Sequence, residues 1–438
     1  MGWLIVSIIA IGTAVSMRLS FFAFGTWFSP LTHYMARWLF LVFLFQLNLM
    51  NYTPISVMTW SVIALSIFSF FVGSAMPMLI TCRRKKIEVT HIKTSLRSSV
   101  SPKRLRTGIL VLFSIGCVFF AVYIRNMPGS PNPFEALSML SELRAIMKEE
   151  PIPGFHYFYF MELVVYLCFV HFLLWPKSAA YWIYLVGLLA LFSLLYTTGK
   201  VNVAKSIMWC FFALLYLEIY RLGSIRMLKW LAGLTGIGAM VFALMVTNEG
   251  SDLASMRDAG DSNATFLLAY LYMSVPVGVL DKLLADPEVV PVYGAYMFGP
   301  VLKLLNVVGI PVEVPSHIGD FYNTPFPANI ATYIDLMYKD FGLIGPSLIP
   351  FFIGFICSYF FSRLRLDRVS LFTFSFNTML ALSVFGSTGA ANYMKPSYWF
   401  QILVLLLLSR YVLNSERKSG TAYIGAPSHE NLCQGGMK

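Results

Sequence analysis

The stretch NTPFPANIATYIDLMYKDFGLIG, Asn323 to Gly345, gathers hydrogen-bonding side chains, prolines and glycines directly before the apolar run PSLIPFFIGFICSYFF. Asn329 is placed to cap a short helix, IATYIDLMYK, whose first turn holds Thr332. A helix start presents unpaired N–H groups and a partial positive charge, which together suit a phosphate oxygen. The hydroxyls of Thr332 and Tyr333 add donors beside it. Asp340-Phe341-Gly342 breaks this helix, and Gly345-Pro346 opens the apolar run. Asp340 therefore falls where polar chain meets apolar chain, a costly place for a carboxylate without a partner or a task. It pairs with a base such as Lys339, caps backbone N–H groups, or does chemistry.

The frame that must hold this stretch is set by composition. Of 438 residues, 58% are hydrophobic and 12% charged, and the mean hydropathy is +0.70. A soluble core cannot absorb that much apolar surface, so the bilayer must act as solvent. The net charge of +11 invites nucleic acid as a partner. The bases instead cluster in short stretches between apolar runs, as the positive-inside rule requires, and no nucleic acid is expected. Apolar runs at 2–17, 34–51, 55–80, 107–126, 156–175, 179–198, 201–220, 228–247, 340–361, 370–388 and 396–413 predict about eleven spans (10–12). The fold class is all-α, a polytopic membrane helix bundle, with residues 1–438 as a single integral membrane domain. Residues 19–33 leave room for a further short or interfacial segment. The chain starts apolar with no Lys or Arg ahead of the run, which predicts an uncleaved first span with its N-terminus outside.

Charge fixes the expected orientation. The segment 82–106 carries nine Lys/Arg against one acid, Glu88, and reads as a cytoplasmic loop. Alternation puts Lys177, the Arg221–Arg226–Lys229 group, the Arg363–Arg365–Arg368 group and the tail 414–438 on the same side. Two long connections then face outward. The first, 127–155, predicts an amphipathic surface helix capped by Asn132, Pro133 and Glu135 and stopped at Pro151, with Arg144 and Lys148 one turn apart. The second, 248–339, holds four bases and ten acids. Its semi-apolar stretches ATFLLAYLYMSVPVGVLDKLLA and YGAYMFGPVLKLLNVVGI are interrupted by Pro or Gly and predict surface-lying or re-entrant segments.

None of the six cysteines lies in the two outward loops, and no CxxC spacing occurs, so no disulfide framework or metal site is implied. The two halves of the chain show no repeat, whereas carriers are often built from repeated halves. The spans between 107 and 247 are almost free of charge apart from Glu162 and Glu218 near their ends, which also argues against a carrier.

The pattern Asn329, Thr332, Asp340-Phe341-Gly342 and Gly345 behind a long outward loop resembles the O-antigen polymerase (Wzy-type, oligosaccharide repeat-unit polymerase) family. PVYGAYMFGPVLKLLNVVGI is similar to a stretch that such proteins carry earlier in the loop. TTGK at 197–200 looks like the family's outer turn, with Lys200 where Arg is usual. The likeness covers roughly residues 180–360 together with length and span layout; the N-terminal third matches only in hydropathy.

The resemblance implies a fold like that of lipid-carrier-dependent glycosyltransferases. It implies polymerisation of undecaprenyl-pyrophosphate-linked oligosaccharide repeat units at the periplasmic face of a bacterial inner membrane, while the charge alternation above predicts a cytoplasmic C-terminus. Donor and acceptor are both lipid-linked glycans; membrane lipids and a chain-length regulator protein are further partners; no metal or cofactor is expected. A pyrophosphate leaving group calls for bases, Arg above all. Arg257 in DLASMRDAGD comes first, Lys200 second and Arg144 third. Arg257 has ion pairing with Asp252, Asp258 or Asp261 as its alternative, and Arg144 has contact with anionic lipid. The attacking hydroxyl needs a base, for which His317, Asp320, Asp335 and Asp340 are the candidates. Asn329, Thr332, Tyr333 and Asp320 would contact substrate, and Tyr322, Phe326, Tyr333, Tyr293 and Tyr296 could stack on sugars or anchor the loop at headgroups. The alternatives are an O-antigen ligase and a repeat-unit flippase or other transporter.

Overall fold

The computed structural model describes residues 2–81, 91–127, 152–176, 180–197, 201–218, 264–315, 321–324, 327–329, 332–364, 369–388 and 392–413. Among the described residues, 79% are helical. The helices are α1 (Gly2–Phe24), α2 (Pro30–Leu47), α3 (Val57–Thr81), α4 (His91–Ser99), α5 (Pro102–Arg125), α6 (Tyr157–Leu174) and α7 (Tyr181–Ser193). They continue as α8 (Val201–Leu217), α9 (Ala264–Ala285), α10 (Gly299–Val307), α11 (Tyr333–Phe341), α12 (Ile344–Arg363), α13 (Leu371–Phe385) and α14 (Pro396–Val412). Six are long and apolar enough to cross a membrane: α1, α3, α5, α6, α12 and α13 with the short turn after it. Two shorter apolar helices, 181–196 and 202–217, stand beside them. The run 228–247 and the amphipathic segment of 127–155 lie outside the described residues.

The bundle is apolar on its outside as well as inside. Leu4, Ile8, Ile11, Phe22, Phe68, Leu185, Leu188 and Leu407 are all more than half exposed. Water would oppose that arrangement and lipid tails would not. Tight contacts carry the interior. Gly73 lies against the carbonyl of Phe351, and Gly354 against the carbonyl of Phe70, so α3 and α12 meet backbone to backbone. A Cβ at either glycine would strike main chain, which cannot swing away.

Local chemistry sets the helix ends. Ser29 caps α2 by accepting from the Thr32 N–H at 3.3 Å, and Pro30 occupies the first helical position. Ser370 does the same for α13 through Thr373 N–H at 3.0 Å. The stretch 19–33 holds no separate segment: α1 runs on to Phe24 and α2 begins at Pro30.

The end of the bundle where α2 stops and α3 starts is called upper here, and its opposite lower. The lower end is tied by α4, a helix inside the basic segment that charge counting read as loop. Lys93 pairs with Glu218 at 3.0 Å, and Arg97 donates to the Leu174 carbonyl at 2.6 Å. Ser95 accepts from the Val369 N–H at 2.7 Å, and Val100 bridges to Leu413. One short helix thus gathers the ends of α6, α8, α13 and α14, and its partly exposed ion pair adds little beyond position.

The upper end is covered by α9. It continues through Pro276 as one helix rather than breaking there. Tyr270 donates to the Leu44 carbonyl at 2.6 Å, Tyr52 and Ser274 share a bond at 2.7 Å, and Asp281 accepts from the Ser56 N–H at 2.9 Å and the Thr59 hydroxyl at 2.7 Å. All these contacts fall where α2 ends and α3 begins, so α9 lies across that end, and Asp281 complements the positive start of α3. A two-residue ladder, β1 (Tyr322–Asn323) with β2 (Pro327–Ala328), leads back toward the bundle.

Candidate functional site

The polar stretch folds as a helical hairpin, α11 then α12. Its turn is at Gly342, whose φ of +57° is left-handed and suits glycine. Gly345 packs against the Met337 carbonyl with no room for a Cβ. The cap differs from the sequence expectation. Asn329 is half-buried on the strand side, and α11 starts at Tyr333 with Thr332 as its cap. Asp335 completes a capping box: its Oδ1 accepts from the Thr332 N–H at 3.1 Å and from the Thr332 hydroxyl. Thr332 and Asp335 beat Asn329 because the box satisfies donors from both directions.

This start points inward. The Tyr333 hydroxyl meets those of Tyr34, in the second turn of α2, and of Ser66 at 3.1 Å, midway along α3. Tyr333 is 2% exposed, so it cannot stack on a sugar in this arrangement. Burial pushes the Asp335 carboxyl up to about 7, opposed by its Thr332 bonds and by Lys339.

Asp340 takes the capping alternative. Oδ1 accepts from the Tyr296 N–H at 2.8 Å and Oδ2 from the Met297 N–H at 2.7 Å. The Val292 N–H donates to the Lys339 carbonyl at 3.0 Å alongside. These bonds hold the chain ahead of α10 onto α11. Burial raises the Asp340 carboxyl, and the backbone donors oppose that shift. Both oxygens have neighbours, and the side chain is fully buried.

A second set of polar groups lies within apolar helices, and the sequence reading undercounted it. Lys205, in the second turn of α8, donates to Glu162 Oε2 at 2.7 Å, and Gln401 Nε2 donates to the same oxygen at 2.7 Å. Glu162 is wholly buried, and its Oε1 has no hydrogen-bond partner among the described residues. The charge-free description of the spans between 107 and 247 is therefore corrected by Lys205. The signal was present as an ionisable residue inside an apolar run. Arg37 is the same kind of omission. It sits within α2, gives its Nε to Thr388 Oγ1 at 2.8 Å, and lies over the ring of Phe385 at 5.0 Å.

One interrupted connection touches all of these groups. Between α13 and α14 the chain makes two single 3-10 turns, Gly386–Thr388 and Asn392–Met394. Thr388 meets Arg37. Tyr393 is close enough to Asp340 and Tyr34 for both to act, after burial itself, to hold its phenol well above the usual value. Lys395 feels Lys205 and Glu162; burial lowers its ammonium, Lys205 lowers it further and Glu162 opposes. Lys395 itself is exposed. The hairpin start and this connection thus bring Tyr34, Arg37, Tyr333, Thr388 and Tyr393 into one region, with Lys395 beside the Lys205–Glu162 pair. Arg144, Lys200, Arg257, His317 and Asp320 lie outside the described residues. Among the described residues no cluster of His, Cys, Asp and Glu could hold a metal.

No family model, curated protein or solved structure matches this chain.

Proposed function

We propose that this chain polymerises undecaprenyl-pyrophosphate-linked oligosaccharide repeat units at the periplasmic face of a bacterial inner membrane. The observation that carries the reading is the hairpin: Thr332, Asp340, Gly342 and Gly345, four residues of the family-like pattern, each have a definite task in one inward-pointing unit, whereas Asn329 of that pattern lies outside it. The polar side chains gathered at the start of α11 and in the connection after α13 support a place where lipid-borne and water-borne groups meet.

In this reading the acceptor's terminal hydroxyl attacks the anomeric carbon of the donor glycan. The bond from that carbon to the pyrophosphate oxygen breaks, and undecaprenyl pyrophosphate leaves with the electron pair. Arg257, Lys200 and Arg144 neutralise the departing charge, and His317 or Asp320 takes the hydroxyl proton. Asp340 positions the chain ahead of α10, and Asn329, Thr332 and Tyr333 shape the wall.

A specific observation favours a second reading, a carrier of lipid-linked repeat units. Glu162, Lys205 and Arg37 sit inside helices, and short interrupted segments meet in the bundle interior, both features of transport paths. Deleting the gene in its native host and running its lipopolysaccharide on a gel separates the two. The polymerase reading predicts a lost ladder with a single repeat still on the core. Loss of every attached repeat contradicts it and selects the carrier or a ligase.

A further inference from the structure

Arg37 holds a charge that cannot be removed by deprotonation. It stands inside the bundle, where an uncompensated cation is expensive. The ion pairs among the described residues are Lys93 with Glu218 and Lys205 with Glu162, so Arg37 has no carboxylate within pairing distance among them. Its Nε is committed to Thr388 at 2.8 Å, and the rings of Phe385 and Phe40, at 5.0 and 5.8 Å, cover the guanidinium. These contacts fix the plane of the fork and leave its terminal nitrogens without a hydrogen-bond partner among the described residues. The same connection that supplies Thr388 also carries two buried hydroxyl oxygens without one, Ser387 Oγ and Tyr393 Oη. Unmade bonds at those two buried oxygens cost folding free energy, and a ligand recovers it. Tyr34, one turn from Arg37 on α2, is no competitor, since its hydroxyl is engaged with Tyr333 and Ser66.

We infer that Arg37, with Ser387, Thr388 and Tyr393, forms a subsite for a single carboxylate carried by an acidic sugar. The charge argues for one negative charge rather than the several of a pyrophosphate: a lone guanidinium edge matches a carboxylate through two parallel bonds. Lys205 is already balanced by Glu162, and the charges that act on Lys395 are those of this same pair and not that of Arg37, so neither lysine adds charge there. That the carboxylate belongs to a sugar rests on the glycan reading above; the anion site itself does not. On that reading the repeat unit contains an acidic residue, and Arg37 sets which sugar enters.

The test uses the full chain purified in detergent, its melting followed by intrinsic tryptophan fluorescence. Glucuronate, glucose, acetate and inorganic phosphate are titrated separately. Glucuronate is expected to raise the midpoint saturably, by about 2–4 °C at a tenfold excess over its dissociation constant. Glucose should leave it unchanged and acetate should act only at much higher concentration. Arg37→Met should abolish the response. Tyr393→Phe should weaken it several-fold while melting no earlier than the native chain, because the hydroxyl it removes has no hydrogen-bond partner among the described residues. That variant keeps the test decisive if Arg37→Met does not fold. Equal shifts from glucuronate and glucose, or an undiminished shift in both variants, overturn the subsite. Acetate matching glucuronate overturns the sugar as the source, and phosphate outdoing glucuronate overturns the carboxylate. These readouts need no polymerisation, so the subsite and the polymerase reading fail separately.

Discussion

Removing the ammonium of Lys205 while leaving Glu162 in place should be among the most damaging single changes in this protein. Glu162 is wholly buried, and Lys205 is the base within 2.7 Å of it. In Lys205→Met, among the described residues, the carboxylate keeps Gln401 as its hydrogen-bond donor, at 2.7 Å, and Lys395 as a cation that is not bonded to it. Breaking one partner of a buried pair costs roughly 3–5 kcal/mol, because the remaining charge is left uncompensated. Replacing both is different: Glu162→Gln with Lys205→Met removes both charges and keeps an amide for Gln401, so the double variant should lie within about 1 kcal/mol of the native chain or above it. At about 2 °C per kcal/mol, the single variant should melt roughly 6–10 °C lower in detergent, and the double variant should recover most of that loss. The assay is a double-mutant cycle on purified protein at neutral pH. A single variant that melts like the native chain refutes the pair as described. A double variant as unstable as the single one refutes the argument from uncompensated charge.

Asp340→Ala should cost about 3 kcal/mol, since two backbone N–H groups lose a charged acceptor at 2.7–2.8 Å, and limited proteolysis should then cut near Tyr296 and Met297. Gly345→Ala should sharply lower the folded yield, because the new Cβ meets the Met337 carbonyl; a fluorescent fusion scored by size-exclusion profile reads this, and a native profile contradicts the tight hairpin. Asp335 gives a pH-dependent prediction. Its carboxyl rises from 3.8 to about 7 in the folded chain, so folding favours the protonated form, and the penalty is absent below about pH 4, grows up to about pH 7 and stays constant above. Asp335→Asn keeps the oxygen that caps Thr332 and removes the buried charge. It should lie within about 1 kcal/mol of the native chain near pH 4.5 and be more stable by up to about 4 kcal/mol at pH 8, the free energy of raising a carboxyl from 3.8 to about 7; equal melting at pH 8 contradicts it.

The helical layout was legible because lipid exposure writes long apolar runs directly into the sequence. The runs at 2–17, 55–80, 107–126, 156–175, 340–361 and 370–388 correspond to α1, α3, α5, α6, α12 and α13. Helix ends were less legible, since they depend on which of several neighbouring residues wins the cap. Thr332 with Asp335 displaced Asn329 for that reason, and α11 ran through Asp340 to stop at Gly342. The α4 helix escaped notice because its basic residues dominated the reading of 82–106, although its order comes from partners such as Val369, Leu174 and Leu413 far along the chain. Lys205 and Arg37 were visible as letters, but their importance depends on burial. Periodicity reports that poorly in a helix that is apolar all round. Of the site, the hairpin carrying Thr332, Tyr333 and Asp340 was anticipated, and the interrupted connection after α13, with Thr388, Tyr393 and Lys395, was not.

The most direct test of the polymerase reading reconstitutes the purified chain in lipid vesicles with the host's lipid-pyrophosphate-linked repeat unit as sole substrate. The account predicts lipid-linked products of two and more repeat units, with one undecaprenyl pyrophosphate released for each bond formed. Repeat units that move between the leaflets while remaining single, with no pyrophosphate carrier released, would contradict it.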